Sequence, residues 1–113
     1  MSHPEVDREM LDNLKTILED RFELLINTYI SDSESRRARL REALERKDFE
    51  AIRHEAHGLK GSSRNIGANE FADICAAVET QATHKDDTDL EQNIAAIEQK
   101  LAAVLQELNQ VLN

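Results

Sequence analysis

The densest chemistry in this sequence lies in one stretch, His57-Gly58-Leu59-Lys60-Gly61-Ser62-Ser63. Around it, Phe49, Ile52, Ala56, Leu59, Ser63 and Ile66 recur three and four residues apart. That spacing predicts an amphipathic helix with those residues on its buried stripe. His54, His57, Gly61 and Arg64 keep the same spacing on a different face, which turns to solvent or to a partner. Each glycine inside a helix costs about 1 kcal/mol relative to alanine, so two in one helix ask for a reason. Gly61 lies one turn beyond His57 and leaves the imidazole unshielded there. Lys60, at i+3, is within reach of anything attached to the ring. A neutral imidazole nitrogen can attack a phosphoryl group, and a neighbouring cation stabilises the charge on its oxygens. The pattern therefore predicts phosphoryl chemistry on His57, with charge from Lys60 and clearance at Gly61 for a donor brought by another protein. An ordinary surface histidine beside a surface lysine is the alternative. The two glycines and the small Ser62 and Ser63 argue against it.

A long helix is needed to hold this face outward, and the rest of the chain reads as more helices. The 113 residues contain three Gly and one Pro, too few for many strands and turns. A first short helix is expected over 6–18, with Met10, Leu11, Leu14, Ile17 and Leu18 in phase and Pro4 before it. A second covers 20–47, with Phe22, Leu25, Ile26, Tyr29, Ile30, Leu40 and Leu44 on one stripe. The serine-rich Ser31-Asp32-Ser33-Glu34-Ser35 is read as helix, because the phase runs through it without Gly or Pro. The third begins at Asp48, a good N-cap, and ends at Gly67, where a C-terminal cap wants positive φ. The fourth spans 69–82, with Phe71, Ile74, Cys75, Val78 and Ala82 on one face, and a polar connection follows over 84–89. Thr88-Asp89-Leu90-Glu91 has the pattern of a capping box for the fifth. Its Leu90, Ile94, Ile97, Leu101, Val104, Leu108 and Val111 keep a 4-3 rhythm that suits a bundle seam. The expected fold is all-α: an antiparallel four-helix bundle with a short additional N-terminal helix, one domain over 1–113.

The string Ala56-His57-Gly58-Leu59-Lys60-Gly61-Ser62-Ser63, followed by Asn65-Ile66-Gly67-Ala68, Phe71-Ala72, Cys75 and Glu79, resembles the histidine-containing phosphotransfer (HPt) domain family. The resemblance implies a four-helix bundle with His57 as an exposed phosphoacceptor, Lys60 assisting electrostatically and Gly61 giving access. It implies a phosphorelay intermediate that takes a phosphoryl group from the receiver domain of a hybrid sensor kinase. The group then passes to the receiver domain of a response regulator. Docking is expected on the exposed flanks of the His57 helix, at His54, Gly58 and Arg64, with residues of the second helix. Arg64 stands where the family often has a small residue, and Glu79 where some members carry glutamine. A carboxylate aimed at a phosphoryl group would repel it, so Glu79 is assigned no role.

Other classes fit less well. No GxxxxGK or GxGxxG loop is present to hold ATP, so the chain is expected to be a phosphotransfer carrier without a kinase site. It is expected to need no cofactor of its own, with Mg²⁺ supplied on the partner receiver. Glu50, His54 and His57 give at most three ligands for a metal, and no cysteine is near. Cys75 falls in an apolar helical phase, as buried cysteines do. No apolar run exceeds five residues, so no membrane span is expected, and the first thirty residues lack a signal-peptide layout. Together with a single cysteine, these point to the cytoplasm. The seam of the fifth helix could zip with a copy of itself into a dimer, but three other helices of the same chain are there to pack on it, so a monomer is expected. A helical adaptor without phosphotransfer is the remaining alternative, and it would need no histidine.

The net charge of −9 argues against nucleic acid. It is uneven, however. Residues 36–64 sum to +4 and the rest to −13. A basic sector around the histidine would suit an acidic receiver site.

Overall fold

The computed structural model describes residues 4–113. Five α-helices follow one another: α1 (Arg8–Leu18), α2 (Phe22–Glu45), α3 (Phe49–Asn65), α4 (Asn69–Thr83) and α5 (Leu90–Leu112). A 3₁₀ turn at Glu19–Arg21 joins α1 to α2. Short connections make α2 to α5 run alternately up and down. Contacts of α2 with α3, α3 with α4, α4 with α5 and α2 with α5 close the bundle. Each helix buries an apolar stripe, and these stripes form one core. The seam of α5 is buried at Leu90, Ile94, Ile97, Leu101, Val104 and Leu108. The serine-rich stretch is helical as expected, and Ser33 is buried with its hydroxyl donating to the Ile30 carbonyl at 3.1 Å.

The ends of α3 are fixed by local chemistry. The Asp48 side chain accepts from the Ala51 N–H at 3.0 Å, satisfying one of the unpaired donors of the first turn. At the other end Gly67 has φ +83°. Ala68 N–H returns to the Ser63 carbonyl at 2.9 Å and Gly67 N–H to Arg64 at 3.2 Å, the paired bonds of a Schellman turn. The Gly67 carbonyl accepts from the Asp7 N–H at 3.0 Å, so the N-terminal segment folds over this turn. Asp7 caps α1 through the Met10 N–H at 3.1 Å, which starts that helix at Arg8, two residues later than the periodicity suggested. Val6 and Leu11, at the N′ and N4 positions of a hydrophobic staple, are both buried.

One local expectation is corrected. Thr88 does not cap α5, and the capping box does not form. Asp89 is the cap residue, with φ +55° and no side-chain cap bond. The Thr88 N–H goes to Asp86 Oδ1 at 3.0 Å and its carbonyl to Gln81 Nε2 at 2.7 Å. Glu91 turns to Arg41 of α2. The loop's own bonds and a cross-bundle ion pair thus outcompete the cap.

Candidate functional site

His57 stands in the middle of α3, on the face away from the core, with 61% of its side chain exposed. The stripe beneath it is firmly seated: Ile52, Ala56, Leu59 and Ser63 are all buried. The Ser63 hydroxyl lies 2.7 Å from the Tyr29 hydroxyl of α2, a buried pair that ties the two helices beneath the site. Burial pushes the Tyr29 phenol well above its usual range.

From α4, Glu79 reaches both His57 and Lys60 of α3. Its Oε2 lies 2.8 Å from His57 Nδ1, and its Oε1 lies 2.7 Å from Lys60 Nζ. Burial alone would raise the Glu79 carboxyl, but the hydrogen bonds from Lys60 and His57 outweigh it and hold the group below its ordinary value. An ionised carboxylate only accepts, so the neutral ring carries its proton on Nδ1. Nε2 is left with its lone pair, on a ring open to solvent. The repulsion argued from the sequence does not apply to Nε2, because Glu79 bonds Nδ1 on the other side of the ring. Sequence reasoning aligned Glu79 with the site but missed this role. The signal available was its charge, acceptor-only where an amide can also donate. A shallow groove continues from Lys60 and Glu79 past Ala76 and Thr80 to Thr83 and His84.

The two glycines do different things. A β-carbon at Gly61 would meet nothing within 4 Å, so the space beside His57 there is open. A β-carbon at Gly58 would fall on the Arg36 guanidinium of α2. Gly58 therefore admits an arginine across the back of α3, where Arg36 bonds to Glu55 at 3.1 Å and Asp32 at 3.0 Å. Arg39 completes the pairing of the buried Glu55 at 3.0 Å. His54 is exposed one turn before His57. Arg64 is exposed one turn after Lys60 and reaches Asp73 at 3.1 Å.

The basic sector is largely paired within the chain. Beyond the pairs already named, Arg53 holds Glu50 at 2.6 Å and Arg46 approaches Asp48 at 4.0 Å. Arg41 turns away to Glu91 and Glu98 of α5. Of the nine cations in 36–64, Arg37 and Lys47 alone have no ion-pair partner among the described residues. Any steering by this sector must act through a smaller field than the raw count suggests.

Among the described residues, no three His, Cys, Asp or Glu side chains gather as a metal site, and Glu50 is paired with Arg53. Cys75 is buried, and burial pushes its thiol up to about 12, far from a reactive thiolate. No described helix is long and apolar enough to cross a membrane.

The family model for the Hpt domain matches residues 24–112. The crystal structure of histidine-containing phosphotransfer protein B (HptB) from Pseudomonas aeruginosa PAO1 is similar throughout, with a TM-score of 0.91 and 34% sequence identity over 96% of this chain and 95% of that one. No curated protein matches the chain by sequence.

Proposed function

The chain belongs to the Hpt domain family, and we propose that His57 is the residue on which it accepts and carries the phosphoryl group. Its function is histidine phosphotransfer in a phosphorelay, with receiver domains of two-component systems as partners. The donor is read as the receiver domain of a hybrid sensor kinase and the acceptor as that of a response regulator. The observation that supports His57 is the hydrogen bond from its Nδ1 to Glu79, which leaves Nε2 exposed with its lone pair.

In the forward step Nε2 attacks the phosphorus of an aspartyl phosphate. The N–P bond forms, the P–O bond breaks, and the donor carboxylate leaves with the electron pair. Lys60 places its ammonium beside the ring, where it offsets charge on the phosphoryl oxygens. Gly61 leaves room for the receiver to bring its aspartate close. His54 and Arg64 flank that approach. Gly58 contributes through the arginine it admits. The divalent ion that neutralises the moving group belongs to the receiver, and this chain acts as a carrier without a kinase site or cofactor of its own. A single-domain cytoplasmic monomer fits this role.

Incubation with a radiolabelled phospho-receiver tests the reading. Acid-labile, base-stable label on the wild type and none on His57→Gln is the expected result. Equal labelling of both, or no label from any cognate donor, would leave a helical adaptor as the better description.

A further inference from the structure

We infer that Glu79 makes phosphorylated His57 a labile carrier by keeping Nδ1 protonated while the phosphoryl group sits on Nε2. This rests on the reading of His57 as the phosphoacceptor and deepens it. When Nε2 forms its bond to phosphorus, the ring still holds the Nδ1 proton and becomes a cationic phosphoimidazolium. An unconstrained ring sheds that proton and becomes a poorer leaving group. Here Nδ1 faces a carboxylate oxygen at 2.8 Å that can only accept. Losing the proton would set a nitrogen lone pair against that oxygen, so the pair favours the protonated ring. On transfer outward, the N–P bond breaks and its electron pair returns to Nε2. Neutral imidazole with Nδ1–H is regenerated, and no proton has to move.

The surrounding charges explain why a carboxylate is needed. On α3, Lys60 shares Glu79, Arg53 lies in the field of Glu79, and His54 and Arg64 stand on the exposed face. Arg36 of α2 lies over Gly58, and His84, just after α4, lines the adjoining groove. The ammonium of Lys60 and the guanidinium groups of Arg53, Arg64 and Arg36 act to drive a proton off the ring. Glu79 is the carboxylate bonded to it and opposes them. An amide at this position can instead donate to a deprotonated Nδ1 and stabilise the slower, neutral phosphohistidine. Carboxylate or amide would thus separate a quick relay from a phosphoryl store.

The test phosphorylates the full chain with phosphoramidate, a small P–N donor. Nitrogen NMR of labelled histidine then follows Nδ1 from mildly acidic to mildly alkaline pH, alongside phosphoryl release. The wild type should keep Nδ1 protonated at a pH where Glu79→Gln has lost its proton. The variant should release and transfer its phosphoryl group about tenfold more slowly at mildly alkaline pH. Equal protonation and equal rates would overturn the proposal. The wild-type spectrum also decides alone, should the variant fail to fold: a deprotonated Nδ1 at neutral pH overturns it. A His57 that takes no phosphoryl group from phosphoramidate or a phospho-receiver removes the underlying reading as well, an outcome distinct from a labelled ring with a bare Nδ1.

Discussion

His57 Nδ1 and Glu79 Oε2, 22 residues apart in sequence, lie 2.8 Å apart across the α3–α4 pair. The Gly67 turn makes this possible. It folds α4 back along α3, so that a residue one-third of the way from the end of α4 meets the middle of α3. A surface histidine thereby gains a defined tautomer, with Nε2 as the exposed nitrogen on which the proposed transfer relies.

The two helical glycines should respond differently to alanine. Gly61→Ala places its methyl in open space and should stabilise the fold by about 1 kcal/mol, the helix-propensity gain. Gly58→Ala must push Arg36 off, leaving the buried Glu55 with Arg39 alone, and should gain less or lose. Urea midpoints measure both. Equal gains would mean the Arg36 packing carries no weight. A bulky side chain at 61 should slow transfer from a phospho-receiver while helical circular dichroism is kept.

Acid should weaken the Glu79 contribution in a definite direction. Its folded carboxyl lies below the ordinary 4.5, so the unfolded chain binds the proton more readily. The stabilisation is complete above that ordinary value and is lost as pH falls through the folded one. The stability difference between wild type and Glu79→Gln should therefore shrink as the solution is acidified below about pH 4.5. A difference independent of pH in denaturant titrations would contradict the ionised pair.

Beneath the site, Tyr29→Phe leaves the buried Ser63 hydroxyl without its partner and should cost about 1–2 kcal/mol. Adding Ser63→Ala removes the orphaned group and should recover part of that loss. A double variant as unstable as the sum of the singles would show that the two hydroxyls act independently.

Much of this architecture was legible in the sequence because periodicity and caps are local signals. The Asp48 cap, the Gly67 turn and the α5 seam sit where the pattern placed them, and the serine-rich stretch of α2 keeps its helical phase. What escaped was set by contacts between distant residues. The Thr88 cap lost to Asp86 and Gln81 in its own loop. Gly58 stands out in the sequence as a second helical glycine, but the Arg36 side chain that fills the space beside it comes from another helix. Glu79 looked repulsive because spacing along one helix does not say which ring nitrogen a side chain on another helix will meet.

The atom that carries the phosphoryl group is the most direct test of the proposed transfer. Phosphorus–nitrogen correlation NMR on the chain phosphorylated by a phospho-receiver should place phosphorus on His57 Nε2, with Nδ1 still directed at Glu79. Phosphorus on His57 Nδ1, on another histidine or on a carboxylate would contradict it.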